Sequence, residues 1–274
     1  MKSILWFFLN VSQVVFFLIW SFILQTTSIL IFLLSGNQTF PLLIARNMWS
    51  PPLIWITGSQ IVEVRGIEQV DLTKPHVFVC THQSTLDIAA CFIAIPVPLR
   101  FVAKKVLQYI PFLGWYMTAT GMIFVDRGRS ERAIRSLKRA GELIRNGASI
   151  IGYPEGTRSD DGKVRKLKKG NFIVAIESGV PVVPMAIEGT RLIMPKNSFR
   201  LRPHDIRINV GKPIPTEGYT YEDRDELIEK VYREMIKLNI EIGGLGAADP
   251  KDNPPSFQQP IEIESDKQSS ELAA

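Results

Sequence analysis

The chain has 274 residues, 46% of them hydrophobic, a formal net charge of +5, three histidines and two cysteines. That length holds one sizeable core, or one core with an appendage, and two cysteines exclude a disulfide scaffold. Cys80 and Cys91 lie in apolar runs and read as buried free thiols of a reducing compartment, and no Cys/His grouping has metal-ligand spacing, so neither metal nor cofactor is expected.

Charge is unevenly spread along the chain. Residues 249–274 carry six acidic and two basic residues, a net of −4 that leaves the rest of the chain at +9. A basic body points to anionic lipid headgroups or phosphorylated substrates. Nucleic acid is not expected as a partner, because the aromatics cluster in apolar segments rather than among the basic residues.

Residues 1–60 contain no acidic residue and only two basic ones, Lys2 and Arg46. Ile4 to Leu34 is almost continuously apolar; as a helix it is about 45 Å long, against roughly 30 Å of bilayer hydrocarbon. Asn10, Ser12, Gln13, Gln25, Thr26 and Ser28 interrupt it, and a plain membrane span has no need of them. A second apolar segment runs from Phe40 to about Ile56, broken by Pro51 and Pro52. The expectation is a membrane-anchoring helical hairpin over 1–60, dipping into the bilayer or tilted in it.

From residue 61 the pattern changes to strands alternating with helices. Strands are predicted at Ile61–Arg65, His76–Thr81, Leu99–Ala103, Met122–Val125, Ser149–Tyr153, Pro181–Ile187 and Ile206–Val210. Helices are predicted between most of them, with a last one after the Thr220/Asp223 capping box. The fold class is α/β, a mixed sheet flanked by helices, over residues 61–243. After Gly243-Gly244 the chain is polar and rich in Pro, Ser and Gln, so 244–274 is expected to be a disordered acidic tail.

His82 follows the second strand, and Asp87 stands five residues on, at the start of an apolar helix. In an open α/β sheet, ligands bind at the edge where strands end and helices begin. With Ser84 as N-cap and Asp87 at the third helical position, the carboxylate points back toward the imidazole. It could fix one ring nitrogen and leave the other free as a base. The same residues also read as a plain capping box beside a loop histidine, and Ser84 as the nucleophile of a hydrolase. Two arginines sit just past later strand ends, Arg127 and Arg158, the latter within Glu155-Gly156-Thr157-Arg158. Arginine offers a fork that matches two phosphate oxygens, and Gly156 lets backbone amides approach an anion.

Taken in order, His82-x4-Asp87, Gly-x-x-Phe-x-Asp-Arg at 121–127, Pro-Glu-Gly-Thr-Arg-Ser at 154–159 and Val-Pro-x-x-Pro at 180–184 resemble the four blocks of the glycerolipid acyltransferases. Within them the chain is most similar to the bacterial 1-acyl-glycerol-3-phosphate acyltransferases, over roughly residues 61–215. Thr81, Thr85 and Tyr153 depart from common family choices at their positions. The resemblance implies a histidine base at His82 and an aspartate, Asp87, that orients it. It implies phosphate binding by Arg127, Glu155, Gly156, Thr157 and Arg158, helped by the basic pair Lys104-Lys105. Pro181 and Pro184 match the fourth block and are expected to line the acyl or substrate pocket.

The reaction so implied moves an acyl group from acyl-CoA or an acyl carrier protein thioester to the hydroxyl of lysophosphatidic acid. The globular part is then expected at the cytoplasmic face of the cell's inner membrane, held by the N-terminal hairpin. The rival readings are an acyltransferase for another acceptor, such as glycerol-3-phosphate or another lyso-lipid, and a non-catalytic membrane-anchored lipid-binding protein.

Overall fold

The structure, a computed structural model, describes residues 2–125, 130–198 and 200–254. It opens with a helix of 34 residues, α1 (Lys2–Ser35). A broken helical segment follows: α2 (Thr39–Ile44), a π-helical turn (Ala45–Trp49) and α3 (Ser50–Trp55). Then come β1 (Gln60–Arg65), β2 (Val77–Cys80), α4 (Asp87–Ala94), β3 (Leu99–Lys104), α5 (Leu113–Ala119), β4 (Ile123–Val125), α6 (Ser130–Arg145), β5 (Ser149–Gly152), α7 (Gly170–Ser178), β6 (Val182–Glu188), α8 (Thr190–Ile193), β7 (Asp205–Val210) and α9 (Arg224–Glu241).

The seven strands form one sheet in the order β1-β7-β6-β2-β5-β3-β4. All neighbours are parallel except β6 and β7. This is the expected mixed α/β sheet, with each strand within a residue or so of its predicted bounds. The central strands β2 and β5 are buried along their whole length, as strands covered on both faces must be. Alternate residues feed opposite cores. Phe78 and Cys80 pack with α4 and α5, while Val77 and Val79 pack with Phe172 of α7 and Leu227, Val231 and Met235 of α9. Because β2, β5, β3 and β6 run in one direction, their carboxyl ends share one edge of the sheet, and that edge holds His82.

The apolar helix α1 keeps most of its surface outside the body: Ile4, Leu5, Phe7, Phe8, Leu18, Ile19, Leu33 and Leu34 are all exposed. Several of its polar residues face the other way. Asn10 Nδ2 donates to the Leu201 carbonyl at 3.2 Å, Gln13 Nε2 to the Ile56 carbonyl at 2.8 Å, and Ser21 Oγ accepts from Trp49 Nε1 at 2.9 Å. These groups lash α1 to the body along one stripe, which a free span would not require.

The second arm of the expected hairpin is a broken helical segment packed on the body. Leu42, Ala45, Leu53 and Ile54 are buried, and Leu42, Ala45 and Ile54 belong to the same core as Phe92 of α4 and Phe101 of β3. Those side chains bury against protein, while Phe40, Met48 and Trp55 of the same segment stay exposed. The prolines account for the break. Pro51 and Pro52 have no N–H, and the carbonyl of Met48, four residues before Pro52, accepts from Trp20 Nε1 of α1 at 3.1 Å instead.

The tail begins later than Gly244. Val164 N–H donates to the Gly246 carbonyl and Ala248 N–H to the Val164 carbonyl, both at 2.8 Å, and Tyr232 Oη reaches Asp252 at 3.0 Å. Buried Ala247 pairs with Val164, so residues 246–254 belong to the body, while the acidic stretch beyond residue 254 lies outside the described residues.

Candidate active site

β2 ends at Cys80, and the chain leaves the sheet through Thr81 and His82. His82 is held by its backbone from both sides. Its N–H donates to Glu155 Oε1 at 3.0 Å, and its carbonyl accepts from Ser159 N–H at 2.7 Å. The loop after β5 thereby extends the β2–β5 pairing past the strand ends, which brings the third sequence block against the first.

The imidazole has two partners. Nδ1 lies 2.8 Å from Asp87 Oδ2, and the ring stacks on Tyr153 with centroids 3.9 Å apart and planes 14° apart. A carboxylate only accepts, so Nδ1 carries the proton of the neutral ring and Nε2 keeps its lone pair. The His82 side chain is 17% exposed and Asp87 is 0% exposed, so the orienting group is sealed while the ring remains reachable.

Asp87 is fully engaged. Besides His82, Oδ2 accepts from Gln83 N–H at 2.7 Å and Ser84 N–H at 2.9 Å, and Oδ1 accepts from Thr190 Oγ1 at 2.5 Å. It is the first residue of α4 rather than the third, but it reaches back to the Ser84 amide as a capping box would. Ser84 makes the expected capping bond, its hydroxyl oxygen accepting from Leu86 N–H at 3.3 Å. The same hydroxyl also donates to the Met194 carbonyl at 2.8 Å and the residue is fully buried, which disposes of it as a nucleophile.

Glu155 does not face a ligand. It is 4% exposed, and besides the His82 amide it accepts from Arg165 N–H at 3.2 Å. Each of its oxygens is taken by a backbone N–H inside the fold, so Glu155 positions the His82 segment. Burial pushes its carboxyl up to about 8, against the pull of the two amides. The sign of the resulting pH dependence follows. Below the ordinary 4.5 both folded and unfolded chains hold this proton. Between there and about 8 the unfolded chain releases it while the folded one keeps it, so stability falls as pH rises, then levels off. Glu155→Gln cannot titrate and should flatten that fall, read as thermal midpoints measured across the interval. An unchanged slope in the variant would show that another group is responsible.

Arg158 sits at the mouth of the site, where its Nη1 donates to Thr85 Oγ1 at 3.0 Å. Gly156 has φ +78°, and a side chain there would strike Lys168 Nζ, 2.7 Å from the Cβ position. Its N–H is engaged with the Tyr153 carbonyl at 3.0 Å, which argues against it as an oxyanion donor. Thr157 is exposed beside it, and Lys104, the last residue of β3, is exposed at the same sheet edge with Lys105 next to it.

The family model described as Acyltransferase matches residues 61–188. The 1-acyl-sn-glycerol-3-phosphate acyltransferase of Saccharomyces cerevisiae is 35% identical over 210 residues, 75% of this chain and 69% of that protein. The chain belongs to this acyltransferase family. A chloroplastic 1-acyl-sn-glycerol-3-phosphate acyltransferase of Brassica napus is 38% identical over 154 residues, 56% of this chain and 44% of that protein, so the chain spans under half of that relative's length. Among solved structures, the 1-acyl-sn-glycerophosphate (LPA) acyltransferase PlsC of Thermotoga maritima superposes with a TM-score of 0.72 at 27% identity, covering 87% of this chain and 98% of that one.

Membership in the acyltransferase family does not bring every matched residue to the site. Pro181 precedes β6 and accepts from Val77 N–H through its carbonyl, at the opposite edge of the sheet. Val77 pairs with Val182, so about 20 Å of strand separates Pro181 from the level of His82. Pro184 lies buried within β6 in register with Val79. Pro181 thus sits away from the His82 edge, and Pro184 packs within the sheet. Arg127 lies outside the described residues. Sequence reasoning missed Thr190, which clamps Asp87 from a position 103 residues away. The signal was available, because Thr190 stands just past the end of β6, where strand-end residues had already pointed to the site.

Proposed function

We propose that this chain transfers a fatty acyl group from an acyl thioester to the sn-2 hydroxyl of lysophosphatidic acid, making phosphatidic acid. The observation that carries the reading is the sealed Asp87 holding His82 Nδ1, with Nε2 left free on an edge that also bears Arg158. The names of the relatives support the choice of acceptor.

His82 Nε2 takes the proton of the acceptor hydroxyl as its oxygen attacks the thioester carbonyl carbon. Asp87 holds the tautomer and stabilises the imidazolium that forms. The tetrahedral intermediate collapses with loss of the C–S bond, and the imidazolium returns its proton to the leaving thiolate. The acceptor supplies the hydroxyl, so the reaction needs no serine from the enzyme. Arg158 holds the acceptor's phosphate with Arg127 as its partner, the exposed Thr157 stands beside them, and Lys104 and Lys105 draw the anion to the edge. The donor is acyl-CoA or acyl carrier protein arriving from the cytoplasm, and α1 holds the His82 edge at the cytoplasmic membrane surface. An apolar helix of this length with an exposed outer face supports that placement.

The test is acyl transfer by the purified chain to lysophosphatidic acid, glycerol-3-phosphate and a phosphate-free monoacylglycerol, with both donors. Product from the monoacylglycerol at the rate seen with lysophosphatidic acid would remove the phosphate from the mechanism. Arg158→Ala should raise KM for lysophosphatidic acid roughly tenfold or more with little change for the thioester, and Arg158→Lys should recover only part. Equal losses for both substrates would assign Arg158 a structural role.

A further inference from the structure

The segment between β6 and β7 links the catalytic pair to the first turns of α1. It begins with Thr190 on Asp87 and continues through Met194, whose carbonyl accepts from Ser84 Oγ. Arg202 N–H then donates to the Ile193 carbonyl at 3.0 Å, and the Leu201 carbonyl accepts from Asn10 of α1. β7 runs antiparallel to β6, so the residues leading into it lie at the His82 edge. There a cleft of about 310 Å³ opens, lined by Trp6, Arg200, Leu201, Arg202 and Pro203.

The chemistry of this cleft is specific. Leu201 is buried while Arg200 and Arg202 on either side are exposed, the alternation of an extended chain, so both guanidiniums leave the backbone on the outer side. Among the described residues neither has an acidic partner. Trp6 is 43% exposed and is followed along α1 by exposed Phe7 and Phe8. Two arginine forks without an acidic partner among the described residues, a half-exposed tryptophan and an apolar helix thus meet at one level. Arginine forks bind phosphate oxygens, and tryptophan favours the headgroup level of a bilayer.

We propose that Arg200 and Arg202, with Trp6, bind the phosphate of an anionic membrane phospholipid, at a site separate from the acceptor site at Arg158. Occupancy fixes the depth of α1 and, through the 190–203 segment, the height of the His82 edge above the headgroups. The inference rests on the membrane placement of α1 proposed above.

The test uses the whole chain in dodecyl maltoside micelles, with thermal unfolding followed on adding dioctanoyl phosphatidylglycerol, dioctanoyl phosphatidylcholine or inorganic phosphate. A ligand that binds only the folded state raises the midpoint, here by on the order of 3 °C at saturation, and only phosphatidylglycerol should do so. The Arg200→Gln/Arg202→Gln double variant should unfold at the wild-type midpoint without lipid and lose the shift. Each single variant should lose part of it, the Arg200→Lys/Arg202→Lys pair should keep part, and Arg158→Gln should keep all. The proposal is overturned if the double glutamine variant keeps the shift, if Arg158→Gln abolishes it, if inorganic phosphate reproduces it, or if the lysine pair retains it in full. Acyl transfer to lysophosphatidic acid is measured in the same micelles. Its absence counts against the reaction proposed above, while the lipid shift judges this site independently.

Discussion

His82→Ala should lower kcat for acyl transfer by roughly 10³-fold or more while the domain stays folded. The bonds that hold this segment in place run through the His82 backbone, to Glu155 and to Ser159, and alanine keeps both. What is lost is the ring's stacking on Tyr153 and its bond to Asp87, which still accepts from Gln83, Ser84 and Thr190. The stability cost should therefore be about 1 kcal/mol. Asp87→Asn is the informative partner. Its amide oxygen can still take the His82, Gln83 and Ser84 donors while its nitrogen turns to Thr190, so the fold survives but the negative charge behind the imidazolium is gone. A loss of about 10³-fold in kcat with a small residual rate is expected. Asp87→Ala would be a poor test, because it strands two backbone amides in the interior. The measurement is turnover of purified variants that match wild type by circular dichroism, and near-normal turnover by His82→Ala would sink the mechanism.

Removing the N-terminus should give two opposite results depending on where the cut falls. Deletion of residues 1–36 takes away α1 alone and should leave a folded protein outside the membrane fraction. It uncovers Trp49 and Phe112, which Phe17 and Phe22 of α1 otherwise contact, so self-association should increase. Activity on acceptor embedded in a bilayer should fall tenfold or more, whereas activity on a short-chain soluble acceptor should fall only a few-fold, because His82, Asp87 and Arg158 are untouched. Deletion of residues 1–60 should instead fail to fold. It removes Leu42, Leu53 and Ile54 from the interior. At about 2–5 kcal/mol each this is roughly 6–15 kcal/mol, as large as the whole stability of a typical domain. Circular dichroism and both acceptors on both truncations decide the matter. A folded, active protein lacking residues 1–60 would show that the broken helix is dispensable, and equal losses on both acceptors in the shorter deletion would make α1 part of the catalytic unit.

The sequence by itself determined the strands, the strand-end position of His82, and the long apolar helix. These are local matters: a buried strand is a short apolar run, and four or five such residues suffice to mark it. Even the Asp87 reach back to the chain before α4 follows from capping chemistry within six residues. Only the tertiary structure decided which way side chains turn when their partners are far along the chain. Glu155 stood beside Arg158 in a run that reads as phosphate-binding, yet it points inward, because β2 and β5 are neighbours and the His82 amide donates to it past the strand ends. Pro181 matched its block and lies at the wrong edge, because the direction of β6 sets which of its ends meets the site. Residues 39–55 are as apolar as a membrane arm, and composition cannot tell lipid from protein as the apolar surroundings. The fold set which side of the segment turns to α4 and β3, burying Leu42, Ala45 and Ile54 and leaving Phe40, Met48 and Trp55 outside. Thr190 closes on Asp87 only because β6 lies next to β2, and strand order is a property of the assembled sheet that no local pattern carries.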